Sequence, residues 1–338
     1  LPASPKIFHG RDSGLNDMID ILLADRPRVA ILGPGGIGKT TLALAALHNP
    51  VVVDRYNQRH FIPCETASSS ADLASIMGSI LGLEPSKQLS RVIVAHFAES
   101  GPTLILLDNF ETPWEPLESR AGVEEFISLL ADIPTLALLI TMRGAERPGK
   151  VKWSRPFLPV LEPLSKKAAH QVFADIAGEP SFKDQIAFDK LLDLSGGLPL
   201  AVSLLASVAS FEGYSDTLDR WNVENTSLLS DGVDKSLNLE KSILLSLGSP
   251  RISSSAPTRD LLSLLCLLPG GITEAELITS HVLNPTSQIS HSKSTLLRTS
   301  LAYIDVYGRL RILNPIRQYV RSAHPPPASL YWPLVRHF

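Results

Sequence analysis

Residues 31–47 read ILGPGGIGKTTLALAAL. Few folds can absorb an apolar run, a glycine-rich turn and a lysine in that order. Residues 28–32 (RVAIL) are apolar with polar neighbours, the pattern of a strand buried in a parallel sheet. The run TTLALAAL is rich in strong helix formers at helical spacing. The chain is therefore read as strand, loop, helix. Residues 33–40 fit G-x-x-x-x-G-K-[S/T], the phosphate-binding P-loop pattern, which needs that context. Glycines let successive backbone N–H groups curl inward toward an anion, and the following helix aims its positive end at the same point. Lys39 reaches the β- and γ-phosphates, and the Thr40 hydroxyl joins a Mg²⁺ shell. The plain alternative is a glycine-rich strand-to-helix turn with a chance lysine.

The chain has 338 residues, a length that suits two or three domains. Its formal net charge of −3 argues against a dedicated nucleic-acid binder, though not against a local basic patch. Cys64 and Cys266 both sit in apolar runs and read as buried small hydrophobes in a reducing interior. No run reaches the ~20 apolar residues that span a bilayer. The reduced cysteines go with an expected cytoplasmic location. The first residue is Leu1, which suggests a fragment of a longer protein.

Up to about residue 165, strand-like and helix-like runs alternate. RHFIPCE, TLILLDNF and TLALLITMRG read as strands, and RPFLPVLEPLS carries a last short one. SADLASIMGSILGL, LSRVIVAHFAES and VEEFISLLADI read as helices. Alternation of this kind implies a parallel sheet covered on both faces. Helical patterns take over near Ser165 and run to DRWNVENTSLL, followed by a polar linker, SDGVDKSLN. Further apolar helices lead to SKSTLLRTSL and then AYIDVYGRLRIL, which reads as two strands around a Tyr307-Gly308 turn. Helices closing on a hairpin suggest a winged helix. The proline-rich HPPPASLYWP reads as a linker. The expected organisation is a nucleotide-binding domain over 1–165, a helical domain over 166–235, a winged-helix domain over 236–325 and a linker over 326–338.

Two further motifs belong with the loop. LILLDNFE ends a buried strand with Asp108, the Walker B arrangement in which a carboxylate beside the P-loop strand holds Mg²⁺. Asn109 stands where many ATPases place a carboxylate that orients water. An amide is not a base, so weak hydrolysis is expected, with Glu111 as a substitute of unknown direction. LLITMRG places Thr141 and Arg143 at the end of another strand. Arg143 there is either a γ-phosphate sensor or a solvated loop arginine.

Taken in order, IFHGRD, GPGGIGKTT, LILLDNFE, LLITMRG, VLEPLS and SGGLPLAVSLLA resemble the NB-ARC module of the STAND P-loop NTPases. They are similar to plant disease-resistance proteins, the apoptotic protease-activating factor and, most of all, fungal NOD-like receptors. The resemblance implies an α/β P-loop domain followed by helical and winged-helix domains. It implies that Phe8, Gly10 and Arg11 border adenine and ribose. Gly33, Gly35, Gly36, Ile37 and Gly38 would form the phosphate loop, with Lys39, Thr40 and Thr41 on phosphates and Mg²⁺. Asp108 would be the metal-side carboxylate, Arg143 the sensor, and Pro199 an adenine-packing residue. Lys39, Asp108 and Arg143 are the catalytic candidates, and ADP or ATP with Mg²⁺ the ligands.

One departure stands out. The family's Met-His-Asp, whose histidine meets the ADP β-phosphate, corresponds here to Leu313, Asn314 and Pro315. Asn314 can donate an uncharged hydrogen bond to ADP, or it can simply cap a helix ahead of Pro315. The function expected is an ADP/ATP switch that controls self-association, at most a slow ATPase. It would carry an effector domain and a repeat domain, such as tetratricopeptide repeats, outside this sequence. The alternatives are an AAA-like turnover ATPase and a winged-helix transcription regulator. For the last, Lys293, Arg298, Arg309 and Arg311 supply thin positive charge.

Overall fold

The computed structural model describes residues 1–224, 239–280, 286–299, 301–305 and 307–337. The run 230–238, read as a polar linker, lies outside the described residues. The chain divides into two compact units. One is Leu1–Gly33 with Gly38–Leu161; the other is Pro34–Ile37 with Glu162–Phe338.

The first unit runs α1 (Asp12–Leu23), β1 (Arg28–Gly33), α2 (Lys39–Leu47), α3 (Pro50–Arg55), β2 (Gln58–Pro63), α4 (Ser70–Leu81), α5 (Leu89–Glu99), β3 (Thr103–Asp108), α6 (Glu111–Trp114), α7 (Leu117–Ala131) and β4 (Leu136–Arg143). Its strands form a parallel sheet in the order β1-β4-β3-β2. Alternate residues feed opposite faces, as the pleat requires. Ala30, Leu32, Ile105, Leu107, Leu138 and Ile140 join α4, α5 and α7 in one cluster. Val29, Ile31, Leu104, Leu106, Ala137 and Leu139 join α1, α2 and α3 in the other. This is the doubly covered α/β P-loop fold read from the alternation.

Two expectations are corrected here. The Walker B strand is not beside the P-loop strand: β4 lies between β1 and β3. The run 155–165 is not a strand. Pro156, Pro159 and Pro163 remove the N–H donors a ladder needs. The stretch instead covers the outer edge of β1 at two points, Ser154 N–H to the Arg28 carbonyl (3.0 Å) and Leu161 N–H to the Leu32 carbonyl (2.9 Å).

Arg28, the first residue of β1, is buried. Its guanidinium donates to the carbonyls of Ala131, Ile133 and Leu136, at and beyond the end of α7. Those carbonyls include ones a helix end leaves without partners.

The second unit runs α8 (Lys166–Ala177), α9 (Gln185–Ser195), α10 (Pro199–Glu212), α11 (Tyr214–Glu224), α12 (Leu239–Leu247), α13 (Pro250–Ser253), α14 (Ala256–Leu265), α15 (Glu274–Thr279), α16 (Thr286–Arg298), β5 (Tyr303–Ile304), β6 (Leu310–Arg311), α17 (Asn314–Ala323) and α18 (Ala328–His337). The change of pattern at Ser165 marks a real start, since its hydroxyl accepts the Ala168 N–H as the cap of α8. Phe173, Phe188 and Tyr214 tie α8, α9 and α11 through ring contacts at 5.2–5.9 Å. β5 and β6 pair antiparallel around the expected turn. Residues 328–337, read within a linker, form α18, with Pro333 inside the helix.

The double glycine of SGGLPLA sits at a crowded junction. Gly197 has φ 69°, and its carbonyl accepts the Leu164 N–H at 2.8 Å. A side chain there would meet the Leu164 carbonyl oxygen at 2.6 Å, so only glycine fits. Asn314 packs on the neighbouring Gly196. Its Nδ2 donates to the Asp193 carbonyl (2.8 Å), and its Oδ1 accepts from Arg317 (2.6 Å). The reading of Asn314 as a helix cap is corrected. Leu313 is the cap residue, and Asn314 opens α17 with its side chain turned to the end of α9. The cause is the close contact at Gly196, which brings that carbonyl within reach.

Candidate nucleotide site

The site is built at the carboxyl ends of β1, β3 and β4, where an α/β sheet offers a crevice. Gly36 and Gly38 have φ of 73° and 90°, which lets the backbone curl before α2 begins at Lys39. Thr40 and Thr41 follow in the first turn of α2. Gly35 lies within the loop, and Ile37 is fully buried.

Lys39 is buried, and its Nζ donates to the Gly33 carbonyl at 3.0 Å. Burial pushes its ammonium down to about 8. Glu111 and, less strongly, Asp108 pull it up, while Arg143 pushes it down. Four charged groups therefore share one small region. Asp108 Oδ1 accepts the Thr40 hydroxyl at 2.7 Å and the Thr141 hydroxyl at 2.6 Å. Burial raises the Asp108 carboxyl above its ordinary range, and these two hydroxyls oppose the shift. Oxygen donors of hydroxyl and carboxylate type at this spacing suit a hard cation such as Mg²⁺. The residues present therefore fit the ion that P-loop enzymes use.

Asn109 adopts a left-handed backbone, φ 56°, which asparagine tolerates better than most residues. The turn brings its N–H to the Thr141 hydroxyl (3.0 Å) and the Phe110 N–H to the Thr141 carbonyl (2.9 Å). Thr141 thus locks β3 to β4 directly behind the Asp108 carboxylate. Sequence alone gives Thr141 no such role. Its position two residues before the arginine, at the end of an apolar strand, was the available signal.

Glu111 has the direction that sequence could not give. Its Oε2 accepts the Arg143 N–H (3.2 Å) and its Oε1 accepts Arg143 Nε (3.0 Å). The pair is largely shielded, with side chains 19% and 10% exposed for Arg143 and Glu111. Arg143 is thus a paired arginine, not a solvated one. In the sheet register it stands beside Gly33, the first loop glycine.

Of the expected site residues, the fold brings Lys39, Thr40, Asp108 and Arg143 into one cluster. Phe8, Gly10 and Arg11 lie at the approach to α1. Phe8 packs on the cluster that holds Val29 and Ile31, Gly10 turns at φ 67°, and the Arg11 carbonyl accepts the Leu15 N–H. Pro199 begins α10, and the next residue, Leu200, donates its N–H to the Gly36 carbonyl at 3.1 Å. Pro199 and Asn314 belong to the second unit.

Comparison with known proteins agrees with this geometry. Residues 2–152 match the family described as Novel STAND NTPase 1. Uncharacterized protein Rv0894 of Mycobacterium tuberculosis is 27% identical over 278 residues, which is 78% of this chain and 66% of that protein. The chain thus spans 66% of the length of the curated relatives it matches. The Walker-type ATPase of Pyrococcus abyssi shares the fold at 13% identity, with a TM-score of 0.64 over 95% of this chain and 98% of its own. The Aeropyrum pernix ORC2 protein, solved in ADPNP–ADP complexes, gives a TM-score of 0.53 at 13% identity, over 95% of this chain and 96% of its own. No helix among the described residues is long and apolar enough to cross a membrane. The match over residues 2–152, together with the loop, lysine, threonine and aspartate brought into one cluster, supports a P-loop NTPase of the STAND class in this part of the chain.

Proposed function

We propose that the chain is a nucleotide-operated switch that binds ADP and ATP with Mg²⁺ and turns over slowly. The observation that carries this reading is the state of the acidic residues around the site. Asp108 is held by two hydroxyls, position 109 is an amide, and Glu111 is committed to Arg143. Until Glu111 leaves Arg143, no carboxylate among residues 108–111 is free to activate water, whereas the phosphate-holding parts are complete. Bound Mg²⁺ would neutralise charge on the β- and γ-phosphates. Lys39 would exchange the Gly33 carbonyl for phosphate oxygens, and Thr40 and Asp108 would hold the ion.

In this reading residues 166–235 act as a helical domain and 236–325 as a winged-helix domain of NB-ARC type. Their arrangement would respond to the nucleotide and control self-association of a larger, cytoplasmic signalling protein, in the manner of NOD-like receptors. Differential affinity of the two nucleotides for two arrangements is the physical requirement. Asn314 would contact ADP through the second hydrogen of its Nδ2, or by giving up the Asp193 carbonyl. A DNA-reading role draws little support. Lys293 is paired with Glu274, Arg309 with Glu276, and Arg311 with Asp305.

An AAA-like turnover ATPase is the second reading, favoured by the fold likeness to the P. abyssi ATPase over nearly the whole chain. Mass spectrometry of nucleotide released on denaturing the purified protein separates the two. Co-purified ADP near one equivalent supports the switch. An empty site, with rapid exchange of added nucleotide, supports the turnover enzyme and contradicts the switch.

A further inference from the structure

Glu111 stands among the cations that a polyphosphate would meet. Both its carboxylate oxygens accept from Arg143, through the backbone N–H and Nε. A buried cation is costly without a counter-charge, and Glu111 supplies one to Arg143 at 3.0 Å. The γ-phosphate of a triphosphate carries the same kind of charge-assisted acceptor. It approaches from the P-loop side, and Gly33 of that loop is the register neighbour of Arg143.

Resting on the nucleotide-binding reading above, we propose that Glu111 is a specificity-determining residue: it is the anion that Arg143 exchanges for a γ-phosphate, so its charge sets the difference in affinity between a nucleoside triphosphate and a diphosphate. A diphosphate lacks the group that competes for Arg143 and leaves the pair in place. A triphosphate must displace one charge-assisted partner to gain another. The discrimination is therefore damped by the strength of the Glu111–Arg143 bond. Removing the charge while keeping the shape weakens the resident partner and leaves the incoming one unchanged.

The test is equilibrium binding of ADP and of a non-hydrolysable ATP analogue, both with Mg²⁺, to the wild type and to Glu111→Gln. The glutamine keeps an oxygen for Nε but loses the charge. The ratio Kd(ADP)/Kd(analogue) should rise about fivefold or more, the difference between a neutral and a charge-assisted hydrogen bond. In an Arg143→Ala background the same substitution should leave the ratio unchanged. A ratio unmoved by Glu111→Gln in the wild-type background overturns the proposal, as does an equal shift for both nucleotides. If Glu111→Gln does not fold, nuclear magnetic resonance of arginine-labelled wild type decides. The Arg143 Nε–H signal, assigned by its loss in Arg143→Lys, should move with the analogue and stay in place with ADP; equal movement with both overturns the proposal. Lys39→Ala keeps the two readings apart. If it leaves wild-type affinity intact, nucleotide binding at this loop fails. If it weakens binding while the ratio ignores Glu111, only the present proposal fails.

Discussion

The two units tie their polar groups together by different means. In the first, side chains do the work at strand ends. Thr40, Thr141 and Asp108 interlock, Arg143 faces Glu111, and Arg28 gathers the carbonyls after α7. In the second, backbone close approach does it. Gly197 is pressed on Leu164, and Asn314 reaches a helix-end carbonyl over Gly196. A site made of strand ends is rigid because the register of the sheet fixes it. A junction made of helix ends depends on a few contacts.

If that contrast holds, breaking each device should have its own signature. Arg28→Met should have the largest effect. Several buried carbonyls lose a charged donor together, and a destabilisation of about 3 kcal/mol is expected in chemical denaturation. A loss below about 1 kcal/mol would mean that water replaces the guanidinium. Gly197→Ala comes next. A left-handed alanine pressed on a carbonyl should lower stability by roughly 2 kcal/mol. Hydrogen exchange should place the loss in α8, α9 and α10 and spare the β1–β4 sheet. Loss of protection spread equally over the sheet would erase the contrast between the units.

Lys39→Ala should act on affinity rather than stability. Calorimetry should record ATP and ADP binding at least tenfold weaker, since a charge-assisted contact contributes about 1.5–3 kcal/mol. The melting temperature without nucleotide should hold or rise, because a buried ammonium is removed. Asn314→Ala should be smallest, about 1 kcal/mol for one neutral hydrogen bond. Comparing the ADP-induced rise in melting temperature for Asn314→Ala and Asn314→His against wild type sharpens the point. Equal rises in all three confine Asn314 to the junction; a smaller rise for alanine and a larger one for histidine bring it to ADP.

The sheet and the phosphate loop were legible because their signals are local. Apolar runs of strand length, glycines at fixed spacing and a lysine before a helix announce themselves within a dozen residues. Helix α1 was equally local and was missed, although Leu15, Met18, Ile19 and Leu22 carry its apolar face. What stayed hidden depends on partners far along the chain. The strand order puts β4 between β1 and β3, and no local pattern encodes that. The direction of Glu111 is set by Arg143, 32 residues away. The burial of Arg28 is set by carbonyls more than 100 residues away. The helix-cap alternative for Asn314 fails for a related reason. Asparagine before proline is a good helix cap, but contact with Gly196 places the Asp193 carbonyl, 121 residues distant, within its reach.

Steady-state ATP hydrolysis by the purified chain, with Mg²⁺ in excess, tests the switch most directly. With an amide at 109, where many ATPases place a carboxylate, the rate should lie far below the ~10 s⁻¹ median of enzymes and be abolished by Lys39→Ala. A wild-type rate at or above that median, equally sensitive to Lys39→Ala, would contradict the switch and mark the chain as a turnover ATPase.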